Sequence, residues 1–294
     1  MRIRLLGTAA GGGVPQWNCR CDVCARARAG DERVRVRTQC GFAVSADGAR
    51  WLLVNASPDL RQQMLSTPDL APQGEGRSSP VQAVILTNGE VDHVAGLLSL
   101  REGQKFALYA TAQTHAVLDD NPIFDALARD VVTRIVLSPE TEVEICGLKV
   151  TPLMVAGKEP LYLEGRSDGE ASTIALHLRH GTRTCLMVPN CAAITDALRS
   201  ACEGVDILFF DGTTFTDDEM IRLGLSRKSA GRMGHIPMTG PNGSLGAFAG
   251  LNIGRRIYVH INNSNRVLIE GSSEHQQVRA AGWEIAHDGM EIVT

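Results

Sequence analysis

The sequence lacks a long hydrophobic run, an excess of basic residues and any low-complexity segment, and each absence excludes a class of protein. No apolar stretch approaches the roughly 18 residues of a membrane helix, so no membrane-spanning segment is predicted. The opening residues, MRIRLLGTAAGGG, hold an apolar stretch too short for a secretory signal, and a cytoplasmic location is expected. The 29 basic and 33 acidic residues give a net charge of −4. This charge gives no support to nucleic acid or an anionic membrane as a partner.

The composition and length bound the architecture. Of the 294 residues, 44% are hydrophobic and 21% are charged, which supports a sizeable core and excludes bulk disorder. The length fits either two small domains or one large α/β structure. Strand-like and helix-like patterns alternate along the chain in two similar halves, and this order predicts two β-sheets packed face to face with helices outside.

The stretch 84–100, VILTNGEVDHVAGLLSL, carries the strongest functional signal. An apolar run over 84–86 breaks into a polar cluster that holds Asn88, Glu90, Asp92 and His93. This pattern predicts a buried strand that delivers ligand-type side chains to its C-terminal end, with a helix behind it. Neither an aspartate nor a histidine tolerates burial without a partner. We therefore interpret the Asp-His pair as half of a metal site.

Two further apolar runs end in metal-type ligands, 207–210 at Asp211 and 257–259 at His260. Taken alone, Asp211 fits a turn or cap residue as well as a ligand, and a single histidine is more often structural. Together, two imidazoles and carboxylates form a set that suits non-haem iron, and manganese or zinc as well. His235 lies between glycine and proline on a shaped loop, GRMGHIP, and is interpreted as a catalytic residue or a support for the ligands.

Three of the eight cysteines form a C-x-C-x₂-C cluster at residues 19–24, Cys19, Cys21 and Cys24. In a large chain expected to be reduced, the cluster indicates metal rather than disulfides. Three buried free thiols are the alternative, and structural zinc is the favoured interpretation. The fourth ligand is missing locally, and Cys40, His235, Asn263 or another distant group would have to supply it.

These motifs resemble a known family. VILTNGEVDHVAG is similar to the metallo-β-lactamase signature T-H-x-H-x-D-H-x-x-G, in which Asp92, His93 and Gly96 match. GGGVPQWNCRCDVC, NASPD, DGTTFTDDEM, GRMGHIP and VHINNSN together resemble the pyrroloquinoline quinone (PQQ) biosynthesis protein B family over the whole chain. The resemblance implies an α/β (α+β) fold, a metallo-β-lactamase-like αββα sandwich of two mixed sheets. It also implies a single domain over 1–294 with its site at one edge between the sheets.

The resemblance also covers the cysteine cluster. Phosphodiesterases of the same fold carry C-x-C-x₂-C as a structural zinc site, and a histidine three residues after their last metal histidine completes it. In this chain that position holds Asn263. The resemblance therefore implies structural Zn(II) on the cysteines with an unidentified fourth ligand.

The departures from the signature bear on the chemistry. Asn88 and Glu90 stand where two histidines are expected, and Asn190 stands where a bridging aspartate is often found. Hydrolytic members use two metals to clamp and activate water, so these losses weaken one metal position. The remaining ligands are oxygen-rich and suit iron, and they are Glu90, Asp92, His93, Asp211 and His260.

The resemblance implies an iron- and O₂-dependent hydroxylation of the tyrosine ring in a Glu-Tyr precursor cut from a small peptide. Fe(II) is then the active-site cofactor and O₂ the co-substrate. Asp211 and His235 are the expected catalytic residues, and His235 would exchange the phenolic proton. Asn88 and Arg101 are the candidate substrate contacts, with Arg37 or Arg232 as alternatives for binding carboxylates.

Two other functions remain open. A metal-dependent hydrolase is supported by the fold alone, and fold is weak evidence for a reaction. The second open function is that of a non-catalytic carrier, which assists transport of PQQ or its precursor to the periplasm. The implied partners are a Glu-Tyr type substrate and other PQQ biosynthesis enzymes, and a homodimer is left open.

Overall fold

The computed structural model describes residues 1–165 and 172–294, and within them the chain forms fourteen strands. The strands are β1 (Arg2–Gly7), β2 (Gly41–Ser45), β3 (Trp51–Val54), β4 (Val81–Ile85), β5 (Phe106–Ala110), β6 (Val132–Val136), β7 (Val143–Ile145), β8 (Leu148–Val155), β9 (Thr173–His180), β10 (Arg183–Val188), β11 (Ile207–Asp211), β12 (Arg255–Val259), β13 (Trp283–Ile285) and β14 (Glu291–Val293).

The α-helices in the described residues are short. They are α1 (Asp22–Arg28), α2 (Leu60–Leu65), α3 (Val91–Val94), α4 (Ala112–Asp119), α5 (Asp196–Cys202), α6 (Glu219–Arg222), α7 (Ser244–Ala247) and α8 (Ser273–Ala280). Short 3₁₀ helices lie at Pro68–Leu70, Ala95–Leu100, Pro122–Ala126, Leu161–Leu163, Gly231–Met233 and Arg266–Leu268. No helix in the described part of the chain is both long and apolar enough to cross a membrane.

The strands form two mixed sheets that share one design. The first has the order β14-β1-β2-β3-β4-β5-β6 and the second β13-β12-β11-β10-β9-β8-β7. In the first sheet β14, β1, β2 and β3 pair antiparallel, and β3 to β6 pair parallel. The second sheet repeats this, since β7 to β10 are antiparallel and β10 to β13 are parallel. The predicted two similar halves are therefore present.

The layers follow from three groups of buried apolar side chains. The inner faces of both sheets contribute to one shared core, in which Phe42 of β2 contacts Phe209 of β11 edge to face with centroids 5.3 Å apart. A second group covers the outer face of the first sheet with Leu60 and Leu118 from its helices. A third covers the outer face of the second sheet with Val278 of α8. This arrangement confirms the predicted αββα sandwich.

Several element ends differ from those that the sequence predicts. The segment NASPD predicts a helix capped by Ser57, but α2 begins at Leu60 and the Ser57 hydroxyl donates to Gln63 Oε1 instead (3.1 Å). The apolar pattern over 123–128 predicts a short helix, and the structure has a 3₁₀ helix at Pro122–Ala126. The polar, glycine-containing segment 159–170 predicts a loop. It includes a 3₁₀ turn at Leu161–Leu163, and residues 166–170 lie outside the described residues.

Gly96 controls how α3 sits against the first sheet. The Gly96 amide donates to Ala56 O (2.8 Å), and the Ala56 amide donates to His93 O (2.7 Å). A Cβ on Gly96 would lie 2.0 Å from the Ser57 carbonyl oxygen, a backbone atom that cannot move aside easily. Only glycine therefore allows the close approach that fixes His93.

We expect Gly96→Ala to destabilise the fold by about 2–3 kcal/mol, because the backbone must separate to admit the methyl group. Gly246→Ala is the matched control, since nothing lies within 4 Å of a Cβ at that position in α7. It should be neutral or stabilising by up to about 1 kcal/mol. Urea unfolding of both variants measures the difference, and equal stabilities would contradict the packing argument.

Candidate metal centre

The candidate ligands converge because parallel strands end at one edge of each sheet. Asp211 is the last residue of β11 and pairs with Val259 on the neighbouring parallel strand β12. His260 follows directly, with a φ of 52° that turns the chain away from the sheet. From the other sheet, β4 ends before the segment that leads into α3, which carries Asp92 and His93. The two edges face each other across the sandwich.

Asp92, His93 and His260 form the first cluster, with one ligand atom of each within 4.8 Å of the others. His260 Nε2 lies 3.1 Å from Asp92 Oδ2. His93 is buried, its Nδ1 lies 3.2 Å from Thr87 Oγ1, and its Nε2 has no hydrogen-bond partner among the described residues. A buried imidazole nitrogen without a partner is costly unless something binds it. The three side chains therefore fit a metal ion.

The local electrostatics act differently on the individual side chains of these clusters. Burial lowers the pKa of His93 to about 4, so this imidazole is neutral near pH 7. Burial acts the same way on His260, but the hydrogen bond and charge of Asp92 outweigh it and raise that pKa. Burial acts to raise the pKa of the Asp92 and Asp211 carboxyls, and the neighbouring imidazoles hold both below the usual range.

Asp211, His235 and His260 form a second cluster of the same kind, so His260 belongs to both. His235 Nδ1 lies 2.7 Å from Asp211 Oδ2, which also accepts from the Cys191 amide (3.0 Å). The rings of His235 and His260 stack with centroids 5.3 Å apart. Asp211 is fully buried, whereas 14% of the His235 side chain is exposed, so His235 can reach a bound molecule.

Thr213 connects both clusters, and the sequence interpretation missed it. Its hydroxyl donates to Asp211 Oδ1 (2.7 Å), and its Oγ1 lies 3.0 Å from His260 Nδ1 and 3.1 Å from His235 Nδ1. With its proton on Asp211, the oxygen can accept from His260 Nδ1–H, which leaves the Nε2 lone pair for a metal. The one available signal was the DGTT segment that directly follows an apolar strand.

The structure holds Glu90 apart from the other predicted iron ligands. Its Oε1 lies 3.2 Å from Lys158 Nζ, and its Oε2 accepts from the Leu161 amide (3.2 Å). Asn88 accepts from the Glu90 amide (2.9 Å) and donates to Asn190 Oδ1 (3.2 Å). These groups are hydrogen-bonded to the protein rather than directed at the ligand clusters.

The predicted arginine contacts do not reach the cavity beside the clusters. Arg101 is exposed, donates to Leu98 O (2.7 Å) and lies 3.6 Å from Glu102, on a loop outside that cavity. Arg37 is buried against Thr8 Oγ1 (2.9 Å), and Arg232 is exposed on the loop before His235.

The cavity at the centre has a volume of about 680 Å³, which suits a small molecule. Its polar lining residues include Asn88, Asp92, His235 and His260. Its apolar lining residues are Val91, Leu161, Met220 and Met233, and its cationic ones are Lys158, Arg227 and Lys228. Lys228 is paired with Glu164 (Nζ–Oε1, 2.8 Å), whereas Arg227 has no ion-pair partner among residues 1–165 and 172–294.

The cysteine cluster forms a separate candidate site. The sulfur atoms of Cys19, Cys21 and Cys24 lie within 4.8 Å of one another, and all three cysteines are free thiols. Burial raises the pKa of the Cys21 thiol to about 12. Cys21 donates to Asn263 O (3.3 Å), and Asn263 Nδ2 donates to Cys24 Sγ (3.2 Å). Three converging sulfurs fit three positions of a tetrahedral zinc ion, and Asn263 contacts two of these cysteines.

Residues 50–261 match the family model of the Beta-lactamase superfamily domain. Fold and site together place the chain among the proteins of the metallo-β-lactamase fold. It superposes on Zn(2+)-bound PqqB from Methylobacterium extorquens with a TM-score of 0.97 and 50% identity, covering 100% of both chains. A diphosphatase from the PhnP family gives a TM-score of 0.71 at 22% identity, covering 99% of this chain and 97% of that one, which shows a shared fold.

Curated relatives define the family more closely. Coenzyme PQQ synthesis protein B of Xanthomonas euvesicatoria pv. vesicatoria is 50% identical over 297 aligned positions, and that of Methylobacterium nodulans is 53% identical. Each alignment covers 99% of both chains. The chain belongs to the coenzyme PQQ synthesis protein B family, which confirms the resemblance drawn from the motifs.

The two candidate sites should lose their metals independently. We expect His93→Ala to remove metal from the active centre while zinc stays on the cysteines, and Cys21→Ser to do the reverse with a loss of stability. His177→Ala on β9 is the control and should keep both metals. Metal analysis of the purified variants measures the metal content of each site. Loss of both metals in either variant would show that the two sites are not independent.

We expect Thr213→Val to weaken metal binding at the active centre by about 10–100-fold, because the valine leaves His260 Nδ1 and Asp211 without their shared partner. Thr133→Val on the exposed face of β6 is the matched control and should bind metal normally. Competition with a chromophoric chelator measures the affinities. Thr213→Ser should recover most of the loss, and failure to do so would contradict the role of the hydroxyl.

Proposed function

We propose that the protein acts in PQQ biosynthesis as an iron- and O₂-dependent hydroxylase of the tyrosine ring in a Glu-Tyr type precursor. The observation that carries the proposal is the donor set of the first cluster. Two imidazoles and one carboxylate, from His93, His260 and Asp92, converge within 4.8 Å of one another, and Asp92 and His260 line a cavity from which further ligands can approach. This is the ligand set of non-haem Fe(II) oxygenases. The family name supplies the pathway, and the Zn(2+)-bound relative supports a metal at this fold.

The donor chemistry favours iron over a dinuclear hydrolytic centre. The first cluster contains no thiolate, and Asp211 adds a second carboxylate near His260. The positions that would hold a second metal are Asn88, Glu90 and Asn190, which are engaged in hydrogen bonds and an ion pair with the protein. Hydrolytic members rely on two metals to activate water. When bound, iron would supply the activation of O₂.

The chain's own residues would orient the substrate and move its proton. The cavity has apolar lining residues that can contact a phenol ring, namely Val91, Leu161, Met220 and Met233. Asp211 engages His235 through Nδ1, so His235 Nε2 is the atom left to exchange the phenolic proton. Arg227, without an ion-pair partner among the described residues, offers its guanidinium to a substrate carboxylate in place of the predicted Arg101.

Anaerobic protein loaded with Fe(II) tests the proposal. We expect glutamyl-tyrosine to gain one or more oxygen atoms after O₂ is admitted with ascorbate as reductant, as detected by mass spectrometry with ¹⁸O₂. His235→Asn should slow product formation by about 10²–10⁴-fold, the usual contribution of acid–base catalysis, while His177→Ala should not.

Other outcomes would contradict the hydroxylase. Cleavage of a phosphodiester by the Zn(II)-loaded protein, without oxygenated product from the Fe(II) form, would establish the hydrolase instead. Tight binding of PQQ with neither activity would establish the carrier.

A further inference from the structure

The metal centre has a neighbouring group of polar side chains that forms no ligand cluster. Asn88, Glu90 and Asn190 line the same cavity as Asp92 and His260. At these positions the superfamily signature predicts further metal ligands. In this chain Asn88 and Asn190 bond to each other (3.2 Å), and the Glu90 carboxylate is engaged on both oxygens. The side chains at these three positions therefore do not fit a second metal ion.

Lys158 brings a positive charge to this group. Its Nζ lies 3.2 Å from Glu90 Oε1, and its side chain is partly buried (31% exposed) where it lines the cavity. Glu90 and Lys158 line the same cavity as Asp92 and His260, so the ion pair lies beside the ligand cluster. An exposed surface ion pair would have little effect, but this pair lies inside a cavity where screening by water is weaker.

The loop that carries His235 is shaped around Lys158. Gly234 has a φ of +85°, and a Cβ at that position would lie 2.7 Å from Lys158 Cγ. Glycine thus satisfies both the backbone conformation and the close packing of the lysine stem. The packing of the stem at Gly234 and the ion pair with Glu90 together restrain the Lys158 side chain.

We propose that the Lys158 ammonium takes the place of a second metal ion and presents its positive charge to an anionic oxygen of the substrate. It balances Glu90 and repels a second divalent cation, so the centre holds one metal. The oxygen that it faces belongs to a phenolate or a carboxylate. The identity of that oxygen rests on the proposed function, whereas the exclusion of a second metal does not.

Cobalt binding tests the position of the ammonium independently of any reaction. The Asn88→His/Glu90→His double variant restores two imidazoles, and it is compared with the same protein carrying Lys158→Met, both with zinc on their cysteines. We expect wild-type protein to bind one Co(II) per chain. We expect the double variant to bind a second Co(II), at least about 100-fold more tightly when Lys158 is methionine than when it is lysine. Visible absorption and metal analysis measure both. Equal affinity for the second Co(II) with and without Lys158, or two Co(II) in the wild type, would overturn the proposal.

Substrate binding provides the second readout. With anaerobic metal-loaded protein and glutamyl-tyrosine as the probe, we expect Lys158→Met to raise the Kd by about tenfold or more and Lys158→Arg to retain most of the affinity. Lys149→Met, which removes a lysine paired with Glu142 outside the cavity, is the matched control. Unchanged binding in Lys158→Met would overturn the role in recognition. If the dipeptide binds to none of these proteins, the proposed substrate is contradicted, and the cobalt comparison still decides whether Lys158 replaces a metal.

Discussion

The candidate metal centre depends on the backbone at one residue, His260, where β12 ends in a left-handed conformation. The following residue locks this turn, because the Ile261 amide donates to Thr8 O and its carbonyl accepts from the Ala10 amide (both 3.0 Å). Two residues further on, Asn263 contacts the cysteine cluster. One short segment therefore joins the first strand, the active centre and the candidate zinc site, so order at the cysteines supports the geometry at His260.

The duplicated sheet design explains why the ligands gather at one place. In each sheet the antiparallel strands build a rigid half, and the parallel strands all present their C-terminal ends on one side. Ligands follow β4 in the first sheet, and β11 and β12 in the second, and the shared core fixes the distance between them. Burying Asp92 and His93 without a counter-charge would be costly, so the fold tolerates this arrangement only with partners from the opposite sheet or a metal ion.

The sequence indicated the candidate site residues better than the contacts between them. The fold and the residues at the three strand ends could be predicted, because apolar runs, their end points and family motifs are local signals. Glu90 stays a predicted ligand by its position in the motif, but the sequence does not reveal its contacts in the structure, because Lys158 and Leu161 lie about 70 residues away in the chain. For Thr213 the DGTT segment is only a weak signal, because the contacts of its hydroxyl arise where two strand ends meet. The prediction for Arg101 rests on its charge alone, and charge does not indicate which surface a loop presents.

The charges at the centre account for the departure from the superfamily signature. Asp92 and Asp211 carry two negative charges beside His260, and one divalent ion balances them. Glu90 adds a third negative charge, and the Lys158 ammonium balances it at 3.2 Å. A second divalent ion would leave an excess of positive charge in a cavity that Arg227 also lines. Hydrolysis by two metals requires both cations to stabilise the attacking and leaving oxygens. Under the proposed arrangement, a centre balanced by one metal and one ammonium would lack that capacity, but it would keep open positions on the metal and a fixed charge to orient an anionic substrate.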